Sequence, residues 1–168
     1  MRTILAMTVL ALGVSTLVAQ DDKKFESKDG KFSAKFPSEP KVLPQKAAGL
    51  DLVITIAEKK KEGGGFAVIY SDMPPDVVKA APAQKLLEGG EKGLVDNFKA
   101  KVTKSKETTF GKQKFPAREI LGEKDDLHLR ITIILAENRL YQVFVVGPKD
   151  LVNGKEADAF FESFEINK

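Results

Sequence analysis

The strongest constraint on the fold is a pair of apolar segments joined by a short polar link. Residues 127–135 and 140–146 are rich in β-branched and aromatic side chains, and the link between them is Ala-Glu-Asn-Arg. Two such runs around a short polar link predict a β-hairpin. A two-residue turn at 137–138 would pair Leu135 with Leu140, Ile131 with Phe144, and Leu129 with Val146. We therefore expect one apolar row on this ribbon, against which the rest of the chain packs.

Alternating apolar residues elsewhere predict further strands that pair with their neighbours in sequence. Asp29-Gly30 marks a tight turn, and a Lys- and Gly-rich link at 59–65 marks a looser one. A segment at 41–44 is bounded by proline and is at best an edge strand, since proline lacks the N–H that a ladder needs. The other predicted strands are 25–27, 32–36, 50–58, 66–72, 102–110 and 115–122. The strand at 66–72 is apolar on both faces, which predicts a central position in the sheet.

Two segments have the spacing of amphipathic helices. The first, at 83–99, contains three glycines that weaken it, and the second is at 155–163. Their apolar stripes are Leu86, Leu87, Leu94, Val95 and Phe98 in the first, and Ala157, Phe160, Phe161 and Phe164 in the second. Consecutive hairpins imply an antiparallel sheet, and segregated helices imply an α+β layered domain. We expect about six to eight antiparallel strands, sandwiched by a mid-chain helix and a C-terminal helix.

The first 19 residues have the pattern of a secretory signal peptide. Arg2 gives a positive start, residues 4–18 are apolar and uncharged, and Ala19 precedes the polar Gln20. An apolar run of about 15 residues is short of the ~20 that span a bilayer, which favours a cleaved leader over an anchor. We expect cleavage after Ala19 and a single domain at 20–168. The protein is then exported, periplasmic or extracellular, with no stable membrane span.

Composition excludes several classes of function. The chain has no cysteine, which rules out disulfides, thiolate catalysis, iron–sulfur clusters and a lipoprotein anchor. Arg2 is the one charged residue of the leader, so 26 basic and 24 acidic residues remain after it. That small surplus forms no basic stripe, and no nucleic-acid partner is predicted. No cofactor-binding or metal-binding residue is predicted either.

His128 is the sole histidine and the one candidate for catalysis. It alternates with Leu127 and Leu129 along its strand, beside Arg130 and after the acidic pair 125–126. A general base would need a carboxylate to orient it and a serine or threonine to activate, and no nucleophile-elbow motif is present. A histidine on a strand surface needs no chemistry to explain it. We therefore assign no catalytic residue.

Several other polar patterns have a structural explanation. The glycine cluster at 89–93 has no strand directly before it and matches neither phosphate-binding fingerprint. Asp72, Asp76 and the pair at 125–126 lack the spacing of a calcium loop, and we interpret them as solvated turn carboxylates. The lysines at 59–61 could touch acidic lipids, but a charged turn is the ordinary explanation. Arg118 beside Glu119, and Arg130, are candidates for a cross-strand charge pair with a structural role.

Four segments together resemble the PsbP-like domains, named after the extrinsic photosystem II protein. They are Phe-x-Ser-x-x-Gly-x-Phe-Ser-x-x-Phe-Pro-x-x-Pro at 25–40, Pro-Ala-Arg-Glu at 116–119, Arg-Leu-Tyr-Gln at 139–142 and Phe-Phe-x-Ser-Phe at 160–164. Small secreted bacterial proteins share this pattern. The resemblance implies an antiparallel sheet between helices and a mostly non-enzymatic accessory role. It carries over no functional residue and no link to photosynthesis.

Three hypotheses of function follow from these observations. The favoured one is a secreted, non-enzymatic binding module with an unidentified protein or envelope-surface partner. The second is a carrier of a small apolar ligand, held in a cleft between the 83–99 helix and the sheet. The third is a hydrolase centred on His128. The sequence does not predict the oligomeric state.

Overall fold

The computed structural model describes residues 24–47 and 49–167, and within them ten strands form two antiparallel sheets. The strands are β1 (Phe25–Ser27), β2 (Phe32–Ala34), β3 (Lys41–Ala47), β4 (Leu50–Lys59), β5 (Gly64–Asp72), β6 (Lys101–Phe110), β7 (Phe115–Lys124), β8 (Leu127–Ala136), β9 (Arg139–Gly147) and β10 (Glu165–Ile166). The helices are α1 (Pro75–Ala80), α2 (Ala83–Phe98), α3 (Lys149–Val152) and α4 (Lys155–Ser163), with a 3₁₀ turn at Lys60–Glu62. The large sheet has the order β3-β4-β5-β9-β8-β7-β6, and the small one β1-β2-β10. The predicted α+β class and antiparallel sheet are confirmed.

The predicted hairpin has the expected register. In β8 and β9, Leu135 pairs with Leu140, Ile131 with Phe144, and Leu129 with Val146. The apolar row is buried along its length on β8. β9 lies at the centre of the large sheet, and β5 pairs with it through a non-local contact. The ribbon is therefore the structural centre of the domain.

Helix α2 covers one face of the sheet, over β6, β7 and β8. Leu87, Leu94 and Val95 are buried there against the apolar row. Gly90 lets the helix come close, because a Cβ at that position would lie 3.2 Å from the side chain of Leu140. We call this the α2 face of the sheet.

The opposite face is covered by α4 and the small sheet, and we call it the α4 face. Phe160 is fully buried and packs edge-on against Phe66 of β5. Phe32 of the small sheet contacts both Tyr70 and Tyr141. This layer leaves part of the β6–β7 side of its face uncovered, where Leu121 is 37% exposed. On the α2 face the opposite corner is open, and Leu43 of β3 is 49% exposed.

Several local features differ from the sequence prediction. The break expected at 73–76 instead begins α1, because proline is well tolerated in the first helical turn. Part of the expected connection at 151–154 belongs to α3, which buries Leu151 and Val152. β3 is an edge strand as predicted, but it extends to Ala47. The first hairpin does not join the large sheet. It forms a small sheet with β10, which pairs with β2.

The described residues contain no helix long and apolar enough to cross a membrane. The predicted signal peptide at 1–19 lies outside the described residues.

Candidate functional site

A polar pocket of about 520 Å³ lies at the end of the large sheet where the β8–β9 turn is located. The β1–β2 turn, the β6–β7 turn and the residues after β10 also reach it. We call it the turn-end pocket. Its lining includes Lys31, Asp72, Gln113, Phe115, Glu137, Asn138, Arg139 and Asn167. Turns held by a rigid sheet are a common location for binding residues.

Arg139 fixes the geometry of this pocket. Its Nε and Nη2 donate to the two carboxylate oxygens of Asp72 at 2.6 and 2.7 Å, and its Nη1 donates to the carbonyl oxygen of Asp29 at 2.7 Å. Its guanidinium also lies 4.8 Å from the ring centre of Tyr70. A planar pair joined by two charge-assisted hydrogen bonds fixes the orientation of both side chains and is stronger than a neutral hydrogen bond. One side chain therefore ties β9, β5 and the β1–β2 turn together.

The ionisation of the pocket follows from these contacts. The hydrogen bonds from Arg139 lower the pKa of the Asp72 carboxyl, so it is charged at neutral pH. Burial raises the pKa of the Tyr141 hydroxyl, which stays protonated and donates to the carbonyl oxygen of Gly30 at 2.8 Å. The pocket wall thus holds one internal ion pair and a neutral phenol at neutral pH.

Other polar side chains at the pocket are free to meet a ligand. The side chains of Lys31, Gln113, Glu137 and Asn167 form no hydrogen bond with other described residues. The backbone around them is held, because the Asn167 amide donates to the Lys31 carbonyl oxygen at 2.8 Å. The site therefore combines a fixed frame with exposed donors and acceptors that no other described residue uses.

A second groove, of about 380 Å³, lies on the α4 face beside β6. We call it the α4 groove, and its wall includes Phe110, Leu121, Arg130, Thr132 and Phe161. Arg130 donates to Asp158 at 2.6 Å and lies 4.5 Å from the centre of the Phe161 ring. Aromatic and charged groups alternate around it, so its surface is mixed rather than uniformly apolar.

The α4 groove is on the other face of the sheet from the predicted ligand cleft. The sequence placed that cleft under the helix at 83–99. There Leu87 is fully buried and Leu94 nearly so, and both pack against the sheet. The α4 groove is a different location for an apolar ligand from the one that the sequence predicted.

His128 does not gather catalytic partners around it. It is the second residue of β8, half-buried, and lies opposite Glu123 and Gly147 in the neighbouring strands. It forms no hydrogen bond or ion pair within the described part of the chain, and it lines neither the turn-end pocket nor the α4 groove. No step of acid–base chemistry can be derived from its surroundings.

The acidic candidates occupy separate places in the fold. Asp72 is committed to Arg139, Asp76 lies in the first turn of α1, and residues 125–126 form the exposed β7–β8 turn. Across residues 24–47 and 49–167, no group of three or more metal-ligating side chains is found. The expectation of a simple solvated carboxylate is wrong for Asp72, because the pairing of β5 with β9 brings Arg139 to it.

The predicted charge pair of Arg118 has different partners. Neighbours on a strand point to opposite faces, so Arg118 turns toward α2 while Glu119 turns away. Arg118 bonds Glu91 of α2 at 2.5 Å and its cross-strand neighbour Glu107 at 3.3 Å. This pairing anchors α2 to β7.

In the lysine run at 59–61, Lys59 pairs with Glu156 of α4 at 2.8 Å and is not a free surface charge.

These layers, strand pairings and helices define a PsbP-like α+β fold. The solution structure of cyanobacterial PsbP (CyanoP) from Synechocystis sp. PCC 6803 aligns with 92% of this chain and 98% of its own, with a TM-score of 0.61. The two sequences are 14% identical, so the likeness concerns the fold alone. It confirms the fold that the motifs at 25–40 and 160–164 implied. No protein-family model and no curated protein sequence matches the chain.

The turn-end pocket was not identified from the sequence. Its frame joins residues far apart in the chain, such as Asp72 with Arg139 and Tyr141 with Gly30. A partial signal was present, because Asp72 ends a predicted strand and Arg139 begins another. Recognising their contact would have required the β5–β9 pairing, which hairpin signals do not provide.

Proposed function

We propose that the protein is an exported, non-catalytic binding module that holds an envelope or extracellular partner at the turn-end pocket. The observation that carries the proposal is the contrast within this pocket. Arg139 pairs with Asp72 and Tyr141 bonds the backbone, whereas the side chains of Gln113, Glu137 and Lys31 make no hydrogen bond to any other described residue. A pre-organised frame with free polar groups favours recognition, because little order is lost on binding.

Export is supported by the N-terminal pattern of a positive start, an uncharged apolar run and a small residue before a polar switch at 20. The absence of catalysis is proposed from the sequence, which has no cysteine and no nucleophile-elbow motif.

Site-specific photo-crosslinking in the native host tests the binding role. A photoreactive residue at position 112, an exposed lysine in the β6–β7 turn beside the pocket, is compared with one at position 97, an exposed asparagine on α2. We expect a discrete crosslinked species at 112 that is missing at 97. Equal labelling at both positions would refute the turn-end pocket as the binding site.

A carrier of a small apolar ligand is the second candidate, and the α4 groove supports it. Its Phe110 and Phe161 rings and Leu121, which is 37% exposed, offer apolar contact in a volume typical of small-molecule sites. Native mass spectrometry of protein purified from its host should then show a bound mass that Leu121→Lys removes. A ligand-free spectrum of the native protein would count against it.

A further inference from the structure

We propose that the turn-end pocket binds a neutral saccharide unit, a hexose or an N-acetylated hexosamine within a surface glycan. This inference rests on the proposed function, and it specifies the chemical class of the partner. It follows from the charge balance, the hydrogen-bonding groups, the apolar floor and the backbone of the pocket.

The charges at the pocket cancel. Arg139 and Asp72 form a two-point pair, and the other two charged lining residues are Glu137 and Lys31, whose ammonium also helps to lower the pKa of Asp72. A phosphate or carboxylate ligand would gain a contact from Lys31 but would also meet Glu137. A neutral ligand avoids that opposition, because its hydroxyls can accept from the ammonium and donate to the carboxylate.

Apart from the Tyr141 hydroxyl, which donates to the Gly30 carbonyl oxygen, the neutral polar side chains are carboxamides. Gln113, Asn138 and Asn167 each offer a carbonyl oxygen and an NH₂ group, so each can accept and donate at once. A sugar hydroxyl also does both, and two adjacent hydroxyls match the spacing of one carboxamide. Gln113 and Asn167 have no hydrogen bond from their side chains to described residues, whereas Asn138 makes a long one of 3.4 Å to the Met73 carbonyl oxygen.

An apolar surface lies within the same pocket. Phe115 is half-buried and Ile166 lies beside it on the small-sheet side. The C–H face of a pyranose ring is apolar and packs on such a surface, while its hydroxyls point outward to the carboxamides. The pocket volume of about 520 Å³ lies within the range of small-molecule sites and accommodates a sugar unit.

The backbone around the pocket consists of tight turns. Lys31, Lys114 and Glu137 have positive φ angles of 49°, 54° and 56°, and each lies in a hairpin turn that reaches the pocket. Tight hairpin turns require this conformation, and Asp125 adopts it in the β7–β8 turn as well. The turns fix the backbone from which the polar side chains of the pocket extend.

The test begins with an array of immobilised neutral oligosaccharides, acidic oligosaccharides and extended peptides, probed with the purified protein. We expect neutral oligosaccharides to be retained and the other two sets not. The bound sugar is then titrated by calorimetry against the native protein, Gln113→Ala and the matched control Asn97→Ala. Gln113→Ala should weaken binding about tenfold, and Asn97→Ala should leave it unchanged.

Other outcomes would overturn the inference. Retention of acidic sugars alone would identify an anion site at Lys31, and retention of peptides alone would identify a peptide site. Failure of every neutral sugar at millimolar concentration, or equal affinity of Gln113→Ala and native protein, would also refute it. If crosslinking at position 112 succeeds while the sugars fail, the binding role stands and the ligand class is wrong. If the crosslink fails as well, the proposed function is wrong.

Discussion

Replacing Gly93 of helix α2 with alanine should stabilise the protein by about 1 kcal/mol. Gly89 and Gly93 lie one turn apart within α2, and a Cβ built at either position meets no atom within 4 Å. Alanine therefore adds no clash, and it reduces the backbone freedom that the unfolded chain would otherwise retain. The double substitution Gly89→Ala, Gly93→Ala should give about 2 kcal/mol if the two effects add.

The matched control is Gly63, whose φ of +68° places it in the left-handed region with equally open space around it. There, alanine should destabilise the protein by about 1 kcal/mol, because in the left-handed conformation a Cβ atom comes too close to the neighbouring carbonyl oxygen. Because the added methyl group meets open space at both positions, opposite changes in the free energy of unfolding would result from backbone conformation and not from packing.

Urea unfolding followed by far-ultraviolet circular dichroism measures both effects, because the chain has no tryptophan to report by fluorescence. For a domain of this size, 1 kcal/mol corresponds to a shift in Tm of about 2–4 °C. The reasoning is refuted if Gly93→Ala lowers the midpoint, or if Gly63→Ala raises it as much as Gly93→Ala does.

Three further predictions concern the core, the ion pair and the leader. Phe160→Ala should cost about 3–5 kcal/mol in urea unfolding, because the side chain is fully buried; a cost below 1 kcal/mol would contradict its packing against Phe66. Asp72 has a lower pKa in the folded state than its unfolded value of 3.8. The charged carboxylate therefore stabilises the fold when the pH is above 3.8, and this stabilisation is lost as the pH falls toward the folded pKa. In Asp72→Asn the free energy of unfolding should therefore decrease less as the pH is lowered. An unchanged pH dependence would argue against the ion pair of Asp72 with Arg139. Intact-mass analysis of secreted protein should find Gln20 as the first residue, whereas a retained Met1 would refute the signal peptide.

The parts of the fold that depend on local pattern could be predicted from the sequence. The register of Ile131 with Phe144 follows from a two-residue turn between alternating segments, and the last helix follows from the spacing of Ala157 and Phe160. Turn chemistry and periodicity act over a few residues, so both are visible without tertiary information. The strand at 66–72 was correctly predicted as central, because it is apolar on both faces.

Features that depend on non-local pairing could not be predicted in the same way. The separate small sheet exists because Ile166 pairs with Phe32, and the turn-end pocket exists because Arg139 meets Asp72. No local signal encodes which distant strand a given strand will join. The partners of Arg118 were missed for a related reason, since Glu91 belongs to a helix whose position over β7 was not known.

The large sheet separates two buried cores, and neighbouring residues of one strand belong to different cores. Ile133 and Ile134 are both fully buried, the first in the core beneath α2 and the second in the core beneath α4. Since the same backbone carries both, neither half can melt while the other persists. Heating should give a single calorimetric peak whose van't Hoff and calorimetric enthalpies agree, and a substitution that weakens either core should lower the Tm of the whole domain.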